Sequence, residues 1–237
     1  MTRVSTALKL AYAALAAVDT ALSASSKPAR HHARRFTKPL LLPTLAASFA
    51  TDPRARRSPL RRTTLAGQAA GWVGDVALLG DDPRHFALGA SAFATGHAAY
   101  ISGLLAQRDP DASPAKPAAV AAAWAVGAPR TLLAAYRTAP ALAPVLAGYS
   151  AVLSGTAAAA TVLGPQIPAD ARRATVAGAG LFLLSDSILG LRKFVLADPP
   201  AWMEGAVMAT YTGAQFLLAE GAARAGVPDA DPSVDGA

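Results

Sequence analysis

The chain has 237 residues, of which 53% are hydrophobic and only 16% are charged, and its mean hydropathy is +0.31. This composition excludes an ordinary soluble domain and predicts an integral membrane protein. The absence of cysteine excludes disulfides, a thiol nucleophile and a thiolate metal site. The net charge of +7 arises from Lys and Arg residues in the polar stretches, which are not interleaved with aromatic residues. This pattern favours bilayer lipids over nucleic acid as partners.

The apolar segments predict an all-α fold, a polytopic transmembrane helical bundle of about eight spans without strands. The predicted spans are residues 4–24, 39–50, 63–80, 86–107, 117–136, 140–163, 173–196 and 201–222. The first also fits a cleavable signal peptide, because small residues end it. Its long apolar run, interrupted late by Asp19, favours a retained span. Residues 1–225 are predicted to form a single transmembrane domain.

Two connections are strongly basic. We expect residues 27–38 to form a loop that leads into a second span that is short for a full crossing. Residues 52–62 carry five arginines and are predicted to form a solvated loop near anionic lipid. The polar tail of residues 226–237 lacks apolar periodicity, which predicts disorder. Slightly more Lys and Arg lie on the side of the termini, which favours cytoplasmic termini in the inner (cell) membrane.

Ionisable side chains within predicted spans are candidate functional residues, because a charge at membrane depth is costly unless it is paired or hydrated. Asp75 and Asp186 are the principal candidates, although salt bridges to Lys38 or Arg130 would give them a structural role. His97 is either a core histidine or a site residue. It is the only histidine within a predicted span, so we expect no metal site and no cofactor.

Three further polar residues have ordinary interpretations as well as functional ones. Tyr100 and Tyr211 fit packing or an interfacial position. Ser185 lies beside Asp186, but a serine triad needs a partnered histidine. Counting along the spans places Lys38, Asp75 and Asp186 toward the side opposite the termini, with His97 nearer the midplane. The sequence therefore predicts that these four residues and Tyr211 converge on one cavity that opens on that side.

The same residues carry a resemblance to the YhhN-like lysoplasmalogenase family of eight-span membrane proteins. The matching pieces, in order over residues 38–218, are Lys38-Pro39 before a Leu run, Gly74-Asp75 before Val-Ala-Leu-Leu, Phe86-Ala-Leu-Gly89 leading to His97 and Tyr100, Gly178 to Asp186, and Tyr211-Thr-Gly-Ala-Gln215.

The resemblance implies a membrane hydrolase that cleaves the vinyl-ether bond of lysoplasmalogens to a fatty aldehyde and glycerophosphoethanolamine or glycerophosphocholine. Protonation of the alkene carbon needs a positioned general acid, and two carboxyl groups with divided roles serve a related reaction in glycosidases. Asp75 and Asp186 are the expected catalytic pair, without a choice of which is the acid. The expected substrate-binding or supporting residues are Lys38, His97, Tyr100, Ser185, Tyr211 and Gln215.

Two other functions fit the same residues. Intramembrane Asp, His and Lys could relay protons in a small proton-coupled transporter. A non-catalytic membrane scaffold would leave the paired carboxylates unexplained. The sequence does not indicate an oligomeric state.

Overall fold

The computed structural model describes residues 2–80 and 82–227, without the side chains of Pro28 and His31, and these residues are almost entirely helical. Helix α3 is a single short turn, and the other eight helices have 17 to 24 residues. The helices are α1 Arg3–Ser23, α2 Pro28–Thr51, α3 Pro53–Arg57, α4 Arg61–Ala77, α5 Pro83–Ala106, α6 Ala115–Thr138, α7 Ala143–Ala160, α8 Ala169–Gly190 and α9 Trp202–Arg224. A 3₁₀ turn, Pro140–Leu142, precedes α7, and a π-helix, Leu191–Val195, continues α8.

Each of the eight predicted spans falls on one of the eight long helices, so the all-α prediction is confirmed for the described residues. Three of these helices are long and apolar enough to cross a membrane: Ala115–Thr138, Pro140–Ala160 and Ala169–Val195. These helices indicate a membrane protein. That all eight helices cross the bilayer stays a prediction.

The predicted loop of residues 27–38 is wrong, because α2 begins at Pro28 and includes this basic stretch. Proline fits the first turn of a helix, where its missing N–H has no intrahelical partner. Arg34 and Lys38 lie four residues apart on one face of this helix, and both are buried. Carboxylates on other helices pair with them, which explains why a charged stretch forms a packed helix.

The predicted solvated loop of residues 52–62 is also partly wrong, because its first residues form α3 and Asp52 is fully buried. Arg54 donates hydrogen bonds to Asp52, and Lys9 lies 3.3 Å from the same carboxylate. Burial would raise the pKa of Asp52, but the hydrogen bonds from Arg54 and the charges of Arg54 and Lys9 lower this pKa to about 2. Glu220 contacts Lys9 at 2.6 Å and Arg54 at 2.9 Å, so this network joins α1 and α3 to α9.

The most extensive packing is between α8 and α9, α4 and α5, and α1 and α2, and the helices of each of these pairs run antiparallel. Glycine permits this close approach at two contacts. A Cβ on Gly178 would lie 2.9 Å from the backbone nitrogen of Leu218, and a Cβ on Gly96 would lie 2.9 Å from the carbonyl oxygen of Gly67. Small residues at helix contacts are typical of helices that associate without a hydrophobic driving force between them.

Helix α6 lies at the edge of the bundle. It packs mainly against α7, the 3₁₀ turn and the π-helix, and Ala135 is its only buried residue. Val126 is 83% exposed and Tyr136 is 64% exposed. These apolar side chains suit contact with lipid, and α6 forms the outer wall of the cavity described below.

The predicted disorder of residues 226–237 cannot be compared over most of its length, since residues 228–237 lie outside the described residues. Gly226 and Val227 continue from α9 as a turn, and both donate backbone hydrogen bonds to its last residues. Whether residues 4–24 are retained stays a prediction. In this structure α1 packs against α2 and α9.

Candidate functional site

A cavity of about 1040 Å³ lies between α2, α4 to α9 and the π-helix. Exposed residues at its rim, such as Arg35 and Asp82, lie on the side of the bundle opposite the start of α1 and the end of α9. Of the residues predicted to form the site, the lining includes Lys38, Asp75, Ser185, Asp186 and Tyr211. These residues come from four different helices, and the direction of opening agrees with the direction expected from counting along the spans.

Asp75 is held by donors from two other helices. It lies near the end of α4 and is only 1% exposed. The Lys38 Nζ lies 3.5 Å from its Oδ1, and the Tyr211 hydroxyl donates a hydrogen bond of 2.7 Å to its Oδ2. Asp75 therefore has a cationic partner on α2 and a neutral donor on α9, as a carboxylate at this depth requires.

Tyr100 and Gln215 lie behind Tyr211 and do not line the cavity. Tyr100 donates its hydroxyl hydrogen to Gln215 Oε1 at 3.2 Å, and Gln215 Nε2 lies 3.5 Å from the Tyr211 hydroxyl. The donors in this chain of hydrogen bonds all point toward Asp75. Such a chain is mutually polarising, and it orients the Tyr211 hydroxyl as a donor to the carboxylate.

Asp186 has a different environment. It lies on α8, is partly buried, and accepts a hydrogen bond from the hydroxyl of Tyr149 on α7. The ion pairs of the described residues do not include Asp186, so the salt bridge considered with Arg130 is not formed. The two carboxyl groups of the cavity thus differ, because Asp75 has a cation beside it and Asp186 has a phenol.

Ser185 has no arrangement that would make it a nucleophile. Its side chain is fully buried, and its hydroxyl donates to the carbonyl oxygen of Val207 at 3.0 Å, which links α8 to α9. The hydrogen-bonded partner of His97 is Thr156, so Ser185 and His97 do not form a dyad in the described structure.

The prediction that His97 shares the cavity is wrong. Its ring packs edge-on against Phe182, with 4.5 Å between centroids, and Phe182 faces the cavity instead. His97 Nδ1 lies 3.1 Å from Thr156 Oγ1, whose own hydrogen points to the carbonyl oxygen of Val152. His97 therefore donates from Nδ1, and Nε2 is left as a buried acceptor without a partner among the described side chains.

Sequence reasoning missed Tyr149 and the two arginines at the cavity rim that pair with Glu204, Arg34 and Arg192. Glu204 at the start of α9 contacts Arg34, and Arg192 Nη2 lies 2.7 Å from Glu204 Oε2. Asp19 lies 3.4 Å from the Nε of Arg34. Tyr149 could have been found as a polar aromatic residue in an apolar span, by the same reasoning as Tyr211. Arg34 could have been found only if the basic stretch had been recognised as helix.

The described residues contain no group of three or more His, Asp or Glu side chains placed to hold a metal ion. The cavity brings together two carboxyl groups, an ammonium group and two phenols: Asp75, Asp186, Lys38, Tyr149 and Tyr211.

Comparison with known proteins gives one match. The YhhN family model matches residues 33–222. None of the curated proteins and none of the solved structures is significantly similar to the chain. The matched region extends from the first turns of α2 to the last turns of α9, and it contains both carboxyl groups and the residues that contact them.

Proposed function

Because this chain belongs to the YhhN family, we propose that it is a membrane hydrolase that cleaves the vinyl-ether bond of lysoplasmalogens. The products are a fatty aldehyde and a glycerophospho-ethanolamine or -choline. The observation that carries the proposal is the placement of Asp75 and Asp186 on one large cavity with unlike partners. Two carboxyl groups with divided roles are what an oxocarbenium-like reaction needs.

The reaction begins with transfer of a proton to the alkene carbon that does not bear oxygen. The carbon next to oxygen then becomes an oxocarbenium ion. Water adds to this ion and returns a proton to the carboxylate left by the acid, which gives a hemiacetal. The hemiacetal collapses to the aldehyde and the glycerol hydroxyl, so the net change is the consumption of one water. The slow step requires a carboxylic acid that carries its proton, and the cation that forms is stabilised by a nearby carboxylate.

The contacts favour one assignment of these two roles. Asp186 has no ion pair among the described residues, so a proton on its carboxyl group breaks no salt bridge. Asp75 is the better carboxylate, because Lys38 and Tyr211 both donate to it. We therefore assign Asp186 as the general acid and Asp75 as the group that stabilises the oxocarbenium ion and orients water. Tyr149 would then stabilise the Asp186 carboxylate that remains after proton transfer.

The cavity suits a lipid with a single chain. Its volume lies at the upper end of the range for small-molecule sites. Apolar side chains of α6, α7 and α8 also line the cavity and suit the alkenyl chain: Leu132, Leu146, Leu153 and Leu183.

The test is aldehyde release by the purified protein in lipid nanodiscs with a lysoplasmenyl-ethanolamine. In deuterium oxide, enzymatic protonation of the alkene places one deuterium on the carbon next to the aldehyde carbonyl, which mass spectrometry detects after rapid reduction to the alcohol. The saturated alkyl-ether lysolipid is the matched substrate control and should yield no product. Absence of aldehyde above the level of an Asp75→Asn/Asp186→Asn preparation would overturn the proposed activity.

We also propose that the protein lies in the cell (inner) membrane with cytoplasmic termini. The slight excess of Lys and Arg on the terminal side supports this orientation. The cavity would then open away from the cytoplasm. Reporter fusions at the two termini and at the connection between α4 and α5 test the orientation, and equal reporter activity at all three positions would contradict it.

A further inference from the structure

The rim of the cavity carries several cations, not all of which the described carboxylates neutralise. The basic residues of the lining, apart from histidine, are Arg34, Arg35, Lys38, Arg192 and Lys193. Lys38 pairs with Asp75, and both Arg34 and Arg192 contact Glu204. The guanidinium of Arg35 has no hydrogen-bond or ion-pair partner among the described residues. Arg35 is therefore a cation available to a ligand at the cavity mouth.

The carboxylate of Glu204 accepts a hydrogen bond from only part of the Arg192 guanidinium. Its Nη2 donates to Glu204, and its Nε is buried without a hydrogen-bond partner in the described part of the chain. A guanidinium has five N–H donors in a planar fork, which fits the oxygens of a phosphate. The Arg192 side chain is 29% exposed, so its remaining N–H groups are accessible to an anionic ligand at the cavity rim.

Lys193 extends the positive surface next to Arg192. Its ammonium group lies 4.7 Å from the centre of the Phe86 ring, and both residues line the cavity. Glu204 and Asp19 hold the nearby Arg34, whereas Asp82 at the rim pairs with His85. The rim is thus a pre-ordered set of donors that is suited to an anion.

The positions along the helices place these cations about one to two turns nearer the cavity mouth than the carboxyl groups. Arg35 lies one turn before Lys38, roughly 4.5 Å along α2, and Lys38 contacts Asp75. Arg192 follows Asp186 by six residues, or roughly 9 Å along the axis. In a lysolipid the phosphate and the ether oxygen are attached to opposite ends of a three-carbon chain. A phosphate at the rim therefore leaves the ether beside the two carboxyl groups.

We propose that Arg35 and Arg192, with Lys193, bind the phosphate of the substrate and so restrict the site to phosphorylated lysolipids. This proposal rests on the proposed function for the identity of the ether, but the anion site stands on the geometry of the rim. An alkenylglycerol that lacks the phosphate would enter the same cavity and bind weakly.

The kinetic test compares a lysoplasmenyl-ethanolamine with the 1-alkenylglycerol that has the same chain. We expect Arg35→Gln to raise KM for the phospholipid about 10- to 100-fold, the range expected for lost charge-assisted hydrogen bonds, and to leave kcat/KM for the alkenylglycerol unchanged. Arg30→Gln is the matched control, because Arg30 lies on the same helix, is exposed and does not line the cavity. Equal KM values for Arg35→Gln and Arg30→Gln would overturn the proposal.

A binding test keeps the two proposals separate. The Asp186→Asn protein is titrated with a non-hydrolysable alkyl-ether lysophospholipid, with the corresponding alkylglycerol and with free glycerophosphate, and the thermal unfolding midpoint is measured. We expect strong stabilisation by the lysophospholipid only, and loss of that advantage when Arg35→Gln is added. Equal stabilisation by lysophospholipid and alkylglycerol would overturn the phosphate site even if aldehyde is released. Stabilisation by glycerophosphate alone would identify a site for free phosphate esters and contradict the lipid assignment.

Discussion

Replacing Lys38 by methionine should lower the free energy of unfolding by about 3–5 kcal/mol, the usual cost of removing one partner of a buried ion pair. Lys38 and Asp75 are 3.5 Å apart, with side-chain exposures of 10% and 2%. Without Lys38, Asp75 must stay charged beside a single phenol or take up a proton. Protonating a carboxyl group of ordinary acidity at pH 7 costs about 4 kcal/mol, so both routes lead to a similar loss.

Adding Asp75→Asn should restore most of this stability, because neither partner then carries an uncompensated charge. We expect Lys38→Met/Asp75→Asn to lie within about 1.5 kcal/mol of the wild type, so the coupling between the two sites would be about 2 kcal/mol or more. The assay is equilibrium unfolding in mixed micelles with increasing dodecyl sulfate, followed by circular dichroism. Lys116→Met is the control, because Lys116 is exposed at the start of α6 and should change stability by less than about 0.5 kcal/mol.

A loss below about 1 kcal/mol in Lys38→Met would refute the ionised Asp75–Lys38 pair, and with it the division of roles between the two carboxyl groups.

Three further predictions follow from the cavity and the charged network. Asp75→Asn and Asp186→Asn should each abolish most aldehyde release, and the double variant should be little slower than either, whereas additive losses would show independent roles. Gly127 lines the cavity, and no atom lies within 4 Å of a Cβ built on it, so the side chain of Gly127→Phe would occupy cavity space and should raise KM at least about tenfold. Gly148 has equally open space but does not line the cavity, so Gly148→Phe should leave KM unchanged. The pKa of Asp52, lowered to about 2 from a usual 3.8, stabilises the fold above about pH 4. As the pH falls from 4 to 2, the free energy of unfolding of the wild type should therefore decrease by about 2 kcal/mol more than that of Asp52→Asn. Equal decreases in the two proteins would contradict this prediction.

The sequence determined the helices and the polar residues that matter most. An apolar segment that lies in the bilayer must form a helix, because its backbone N–H and C=O groups have no water to bond with and need hydrogen bonds within the segment. The cost of a charge within an apolar span then singled out Asp75 and Asp186 as the principal candidates, and Lys38 was placed at the outer start of the second span. Depth could be counted along each helix, and this was sufficient to place these residues toward the same side of the bundle.

Only the tertiary structure decided which side chains meet. The side chains of successive helix residues point about 100° apart, so a residue that faces the cavity can be followed by one that faces a packed helix contact. Which of the two faces the cavity cannot be read from depth alone. For this reason His97, at the right depth, lies behind Phe182, and Tyr149 is the partner of Asp186. The start of α2 shows the same limit. Arg34 and Lys38 are buried there because they pair with carboxylates on other helices, namely Asp19, Glu204 and Asp75. Those partners are distant in the chain, so the sequence around Arg34 and Lys38 does not indicate them.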